Sequence, residues 1–114
     1  LKKETAWLKS SITIKQTRDF GQSKADKLMI IVSKPNDLDR TRFAVIASRS
    51  VGIAVNRNRC KRIIRACIYQ NLNKYLQGFD VLYIARRTLL QANHSQVLAS
   101  FEVLNRTARI IKNE

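Results

Sequence analysis

The sequence predicts an α/β (α+β) two-layer sandwich, a small mixed sheet with helices packed against it, in one domain spanning residues 1–114. Apolar residues recur at spacings of three and four after Arg57 and again after Ser95, the period of an amphipathic helix. Three apolar runs, Leu28–Val32, Arg42–Ala47 and Phe79–Ala85, are rich in β-branched residues and too short for helices, so they read as strands. A chain of 114 residues with 45% hydrophobic content holds one modest core and is too apolar to be disordered.

Taken in order, residues 1–20 carry two patterns. Trp7, Leu8, Ser11 and Ile12 fit a helical stripe, whereas Ile12-Thr13-Ile14 alternates as a strand does. Gly21–Lys27 is a polar connection before the strand Leu28–Val32. Pro35–Asp39 has turn chemistry, since proline fixes φ and Asn and Asp tolerate tight backbone. The shortness of that turn predicts that Leu28–Val32 and Arg42–Ala47 pair antiparallel. Ser48–Gly52 then leaves the sheet and leads into a helix, with Ser50 or Asn56 available as its cap. The helix is expected to run to about Leu76, with Gly78 as its stop. Arg86 and Arg87 follow the third strand directly. After the polar stretch Gln91–Ser95 comes a last helix whose stripe is Val97, Phe101, Leu104, Ala108 and Ile111. His94 lies at the start of that helix, without the nearby Asp or Cys that a catalytic base would need.

Charge restricts the partner. The net charge of +14 exceeds what solubility requires and points to a polyanion: RNA, DNA or an anionic membrane surface. No apolar run approaches the ~18 residues of a membrane span and no signal-like segment opens the sequence, so a cytoplasmic protein is expected.

The charge concentrates in the central helix. Arg57, Arg59, Lys61, Arg62 and Arg65 fall within nine residues, and no Asp or Glu occurs between Arg40 and Phe79. At 100° per residue, Cys60, Ile63, Ile64 and Cys67 gather on one side and Asn58, Lys61, Arg62 and Arg65 on the other, with Arg57 and Arg59 on the flanks. A merely solvated face would alternate signs to gain i,i+4 pairs; crowding like charges costs a few tenths of a kcal/mol per pair. The apolar side is expected to be buried, which removes it from lipid and favours nucleic acid over a membrane surface.

The run Arg49-Ser-Val-Gly52-x-Ala54-Val55-x-Arg57-Asn58-Arg59-x-Lys61-Arg62-x-x-Arg65 resembles the RNR signature of the bacterial ribonuclease P protein component. Gly78-Phe-Asp80-Val-x-Tyr-Ile-Ala85-Arg86 extends the likeness, which covers most of the chain from about Leu28 onward. The resemblance implies a helix from Leu8 to about Arg18, a further short strand near residues 22–26, and the order α-β-β-β-α-β-α with a left-handed βαβ crossover through the RNR region. It also implies the function: binding the catalytic RNA of ribonuclease P and the 5′ leader of precursor tRNA, with Mg²⁺ held mainly by the RNA that performs the cleavage. Residue by residue, Arg57, Asn58, Arg59, Lys61, Arg62 and Arg65 match the motif that faces the catalytic RNA, and Arg49 matches a basic, RNA-binding residue at the crossover entry. Ser50, Ile53 and Ala66 depart from it, standing where basic, polar and acidic residues are common. The family's first helix carries aromatic residues that line an RNA-binding cleft; Ile14 and Arg18 occupy those positions here, and Trp7 and Phe20 are the aromatics nearby.

Nothing in the residues themselves suggests catalysis. Asp37 and Asp39 are the one close carboxylate pair, and the turn accounts for them. Cys60 and Cys67, seven residues apart on one helix, are ~10 Å apart, too far for a disulfide, and lack companions at metal spacing. Both read as small core residues. The chain is therefore expected to be a binding subunit with neither catalytic nor metal-ligating residues of its own. Another RNA-binding module, such as a ribosomal protein with no part in cleavage, is the alternative.

Overall fold

The structure, a computed structural model, describes residues 5–112; Leu1, Lys2, Lys3, Glu4, Asn113 and Glu114 lie outside that range. The elements are β1 (Ala6–Trp7), α1 (Ser11–Phe20), β2 (Gln22–Ala25), β3 (Met29–Pro35), β4 (Arg42–Ile46), α2 (Ala54–Gln70), β5 (Phe79–Ala85) and α3 (His94–Thr107). The strands form one mixed sheet in the order β1-β4-β5-β3-β2. This is the expected α+β sandwich with one unforeseen strand, β1, which adds parallel to β4 through Trp7↔Phe43.

The expected antiparallel pairing of Leu28–Val32 with Arg42–Ala47 does not occur. Between β3 and β4 lies β5, antiparallel to β3 and parallel to β4. Apart from half-buried Phe79 and Ile84, β5 is buried along both faces, and such a strand gains most at the centre of a sheet, with a neighbour on each side. The connection from β4 through α2 to β5 is thus a βαβ crossover between neighbouring parallel strands.

Residues alternate between two apolar layers. Met29, Ile31, Phe43, Val81 and Tyr83 face α2 and α3 and form the main core with Cys60, Ile64, Ile68, Val97 and Phe101. Val32, Ala44 and Leu82 face the other way, where Leu8 and Ile14 cover them. Since α1 has only 10 residues, it covers part of this second face and leaves Ile30, Ile84 and Ile46, adjacent across three strands, half-buried.

Boundaries also differ from the sequence reading. α1 begins at Ser11, capped by the Ser10 side chain, because Leu8 continues the β1 backbone and its N–H donates to the Phe43 carbonyl at 2.7 Å. α2 stops at Gln70, well before Leu76: Asn71 is buried and turns its Nδ2 back to the Cys67 carbonyl at 2.7 Å. Gly78, at φ +97°, serves the turn into β5 instead. α3 opens with a capping box between Asn93 and Gln96, placing exposed His94 as its first residue. Beyond its end, Arg109 (φ +58°) turns the chain so that Ile110 is fully buried and Ile111 bridges to Tyr75. Ile111 therefore joins the core from an extended segment, outside the helix.

Candidate nucleic-acid interface

The basic helix is aimed by the five residues before it. Arg49–Val51 form one 3₁₀ turn whose Val51 is buried, and Gly52 follows at φ +127°, a conformation that a residue with a Cβ adopts only under strain. The Arg57 Nη1 donates back to the Gly52 carbonyl at 3.2 Å and holds this corner closed. Neither expected cap acts: Ile53 occupies the N-cap position without a side-chain bond, Ser50 pairs its hydroxyl with that of Ser48, and Asn56 sits inside the first turn. With no capping side chain and no acidic residue in the first turn, the positive end of the helix dipole adds to the side-chain charge.

The two faces separate as the period requires. Cys60, Ile64, Cys67 and Ile68 are buried in the main core, with Ile63 half-buried beside them. Burial pushes both thiols above their ordinary pKa, which keeps them protonated core residues. The apolar side is consequently not available to a membrane, and among the described residues no helix is long and apolar enough to cross one.

On the outer side Asn58, Arg59, Arg62 and Arg65 are exposed, and Arg49 is exposed on the preceding turn. Arg57 and Lys61 are half-buried, so Arg57 is partly spent on the helix corner. Among the described residues the ion pairs are Lys15–Asp19 at 3.2 Å and Arg42–Asp80 at 2.9 Å, and neither involves α2. The Arg42–Asp80 pair is structural: it is bidentate, it holds the guanidinium pKa above its ordinary value, and Asn36 Nδ2 adds a bond to the same carboxylate. Arg86, at the end of β5, uses Nη1 to hold the Asp26 carbonyl at 2.9 Å.

Two aromatic residues belong to this surface. Tyr69, four residues beyond Arg65, continues its line along the helix and is 52% exposed. Trp7 reaches the same place from β1: its ring lies 6.0 Å from Tyr69 edge-on, and the Arg65 guanidinium lies over it at 5.7 Å. Tyr69 was legible from helical spacing, whereas Trp7 depends on where β1 docks. On the opposite face of the sheet, Ile14 packs into the smaller apolar layer, while Arg18 and Phe20 are exposed. Among the described residues no three His, Cys, Asp or Glu side chains gather into a group able to hold a metal ion.

The ribonuclease P family model matches residues 2–109. The ribonuclease P protein component of Pelotomaculum thermopropionicum is 31% identical over 103 residues, covering 85% of this chain and 92% of the relative. That of Clostridioides difficile is 29% identical over 101 residues, 88% and 89% of the two chains. In fold, the chain is similar to the Staphylococcus aureus RNase P protein (TM-score 0.83, 23% identity, 96% of this chain and 100% of that one). It is also similar to that of Thermotoga maritima (TM-score 0.74, 23% identity, 95% and 98%). A buried helix bearing the RNR run on its open side, in a chain matched almost end to end, leaves one assignment: this protein belongs to the ribonuclease P protein component family, the protein subunit of an endoribonuclease.

Proposed function

We propose that this chain binds the catalytic RNA of ribonuclease P through the outer side of α2 and assists Mg²⁺-dependent removal of the 5′ leader from precursor tRNA. The observation that carries this reading is the row of exposed cations on α2, with no carboxylate at ion-pair distance among the described residues, on a helix whose other side is locked in the core. Arg59, Arg62 and Arg65, with Arg49, are placed to meet phosphates, and Asn58 offers both a donor and an acceptor to a base edge or ribose hydroxyl. Arg57 and Lys61 contribute charge, and Arg57 also holds the corner that aims the helix.

The chemistry is assigned to the RNA. In this reading Mg²⁺ sits mainly on the RNA partner, whose phosphate oxygens suit a hard cation. What this chain supplies is positive charge on a rigid frame, which displaces counterions from RNA and lowers the cost of bringing its strands together. The leader is placed along the face shared by α1 and the sheet. There the half-buried row Ile30–Ile84–Ile46 offers apolar surface, and exposed Arg18 supplies charge on α1, where Lys15 is paired with Asp19.

Reconstitution tests this. With a bacterial ribonuclease P RNA and a precursor tRNA at low Mg²⁺, the protein should stimulate cleavage, and alone it should not cut. Mg²⁺-dependent cleavage by nuclease-free protein without RNA would overturn the division of labour. RNA binding without any stimulation would favour a binding module with no part in cleavage.

A further inference from the structure

We propose that Tyr69 and Arg65, braced from beneath by Trp7, form a stacking site for one unpaired RNA base. The proposal rests on the RNA-binding reading of α2 and adds a base-recognising end to its phosphate-binding row. Asn58, Arg62, Arg65 and Tyr69 follow at intervals of four, three and four, which keeps them within about 60° of one another on the helix surface. Tyr69 lies about 6 Å along the axis beyond Arg65, so a strand whose phosphate is held by Arg65 brings a neighbouring base to the tyrosine.

The geometry around Trp7 makes the site rigid. Its backbone is fixed in the sheet by pairing with Phe43, and its ring meets Phe43 edge-on at 6.3 Å. Phe43 in turn meets Tyr75 at 4.7 Å, and the Tyr75 hydroxyl bonds that of Tyr83 at 2.7 Å, deep in the core. Above this support the Arg65 guanidinium lies over the Trp7 ring at 5.7 Å, and Arg65 is itself exposed to solvent. Tyr69 stands nearly perpendicular to Trp7, at 83°, and half of its surface is open. An arginine plane and a tyrosine ring held at the end of a cationic row are the parts with which proteins bind single strands: stacking for the base and charge for the backbone. An exposed tyrosine alone would not suggest this; one held edge-on against a tryptophan that also carries the row's last arginine does.

The test uses the full chain and a short single-stranded oligoribonucleotide, beside the same oligonucleotide made abasic, at fixed salt. Trp7 is the sole tryptophan, so its fluorescence reports the site directly. The base-bearing strand should bind about 5- to 150-fold tighter than the abasic one, the range one base–aromatic stack carries, and should change the Trp7 emission. Tyr69→Ala should abolish the preference and Tyr69→Phe should keep it, while Arg62→Ala should weaken both strands alike. Equal affinity for the two strands, or a preference that survives Tyr69→Ala, overturns the stacking site. If Arg62→Ala still weakens binding in that case, the RNA-binding reading of α2 stands without it. The source of the base follows from two further titrations of Tyr69→Ala, against ribonuclease P RNA and against precursor tRNA with and without its leader. A loss confined to the first places the base in the catalytic RNA, and a loss confined to the leader-bearing substrate places it in the leader. A loss in neither overturns the site.

Discussion

Ile64→Ala tests the orientation of α2, on which every functional assignment depends. Ile64 has no solvent exposure and packs in the main core between the helix and the sheet. The substitution deletes one methylene and two methyl groups, about 2.4 kcal/mol of transfer free energy at ~0.8 kcal/mol per carbon. A residual cavity raises the expected loss to about 3–4 kcal/mol, within the ~2–5 kcal/mol range of such truncations. For 114 residues the entropy of unfolding is about 0.24 kcal/mol/K at ~2.1 cal/mol/K per residue, so Tm should fall by about 13–17 °C. Thermal unfolding followed by circular dichroism measures this, and RNA affinity is measured in parallel well below the lowered Tm. The folded variant should bind RNA as the parent does. Arg59→Ala and Arg62→Ala should show the converse, stability within ~0.5 kcal/mol of the parent and weaker RNA binding. Arginine variants that unfold, together with a stable Ile64→Ala that no longer binds RNA, would mean that the helix presents its other side, and the interface assignment would fall.

Affinity for ribonuclease P RNA should drop steeply with salt, with a log–log slope of roughly −3 to −5 for ~4–6 phosphate contacts; a slope near zero in a titration would show that the cations of α2 are not the binding surface. Gly52→Ala should cost about 1–3 kcal/mol, because φ +127° disfavours any Cβ, and should weaken RNA binding further by moving the corner that aims α2; unchanged stability by urea unfolding would contradict this. Alkali should unfold the protein through its buried tyrosines. Burial raises Tyr75 and Tyr83 above the ordinary value of 10.0, so above that pH the unfolded chain releases protons that the folded chain retains. The stabilisation is complete below pH 10 and is lost as pH rises beyond it. Tyrosinate absorbance should therefore show two of the three tyrosines ionising only as the helical circular dichroism disappears; complete ionisation with the helices intact would refute it.

Local pattern alone determined a good part of this protein. A 3.6-residue period put Cys60, Ile64 and Cys67 inside and Asn58, Arg62 and Arg65 outside, since a helix relates residues three and four apart whatever surrounds it. Short β-branched runs placed β3, β4 and β5, and the absence of carboxylates from Arg40 to Phe79 identified the cationic surface. What needed the tertiary structure was everything set by partners distant in the chain. Turn chemistry at Pro35–Asp39 reports how the backbone bends, but not that β5, more than 30 residues later, takes the place between β3 and β4 because burial on both faces favours the centre of the sheet. The end of α2 was decided by buried Asn71, whose side chain finds the Cys67 carbonyl where a continued helix would have left Leu72 and Leu76 on its stripe. Equal arginines in the sequence became unequal once folded: Arg57 closes a corner, Arg42 pairs with Asp80, and Arg62 is left facing solvent. Trp7 meets Arg65 and Tyr69 only because a two-residue strand pairs beside β4, a long-range contact that no local period encodes.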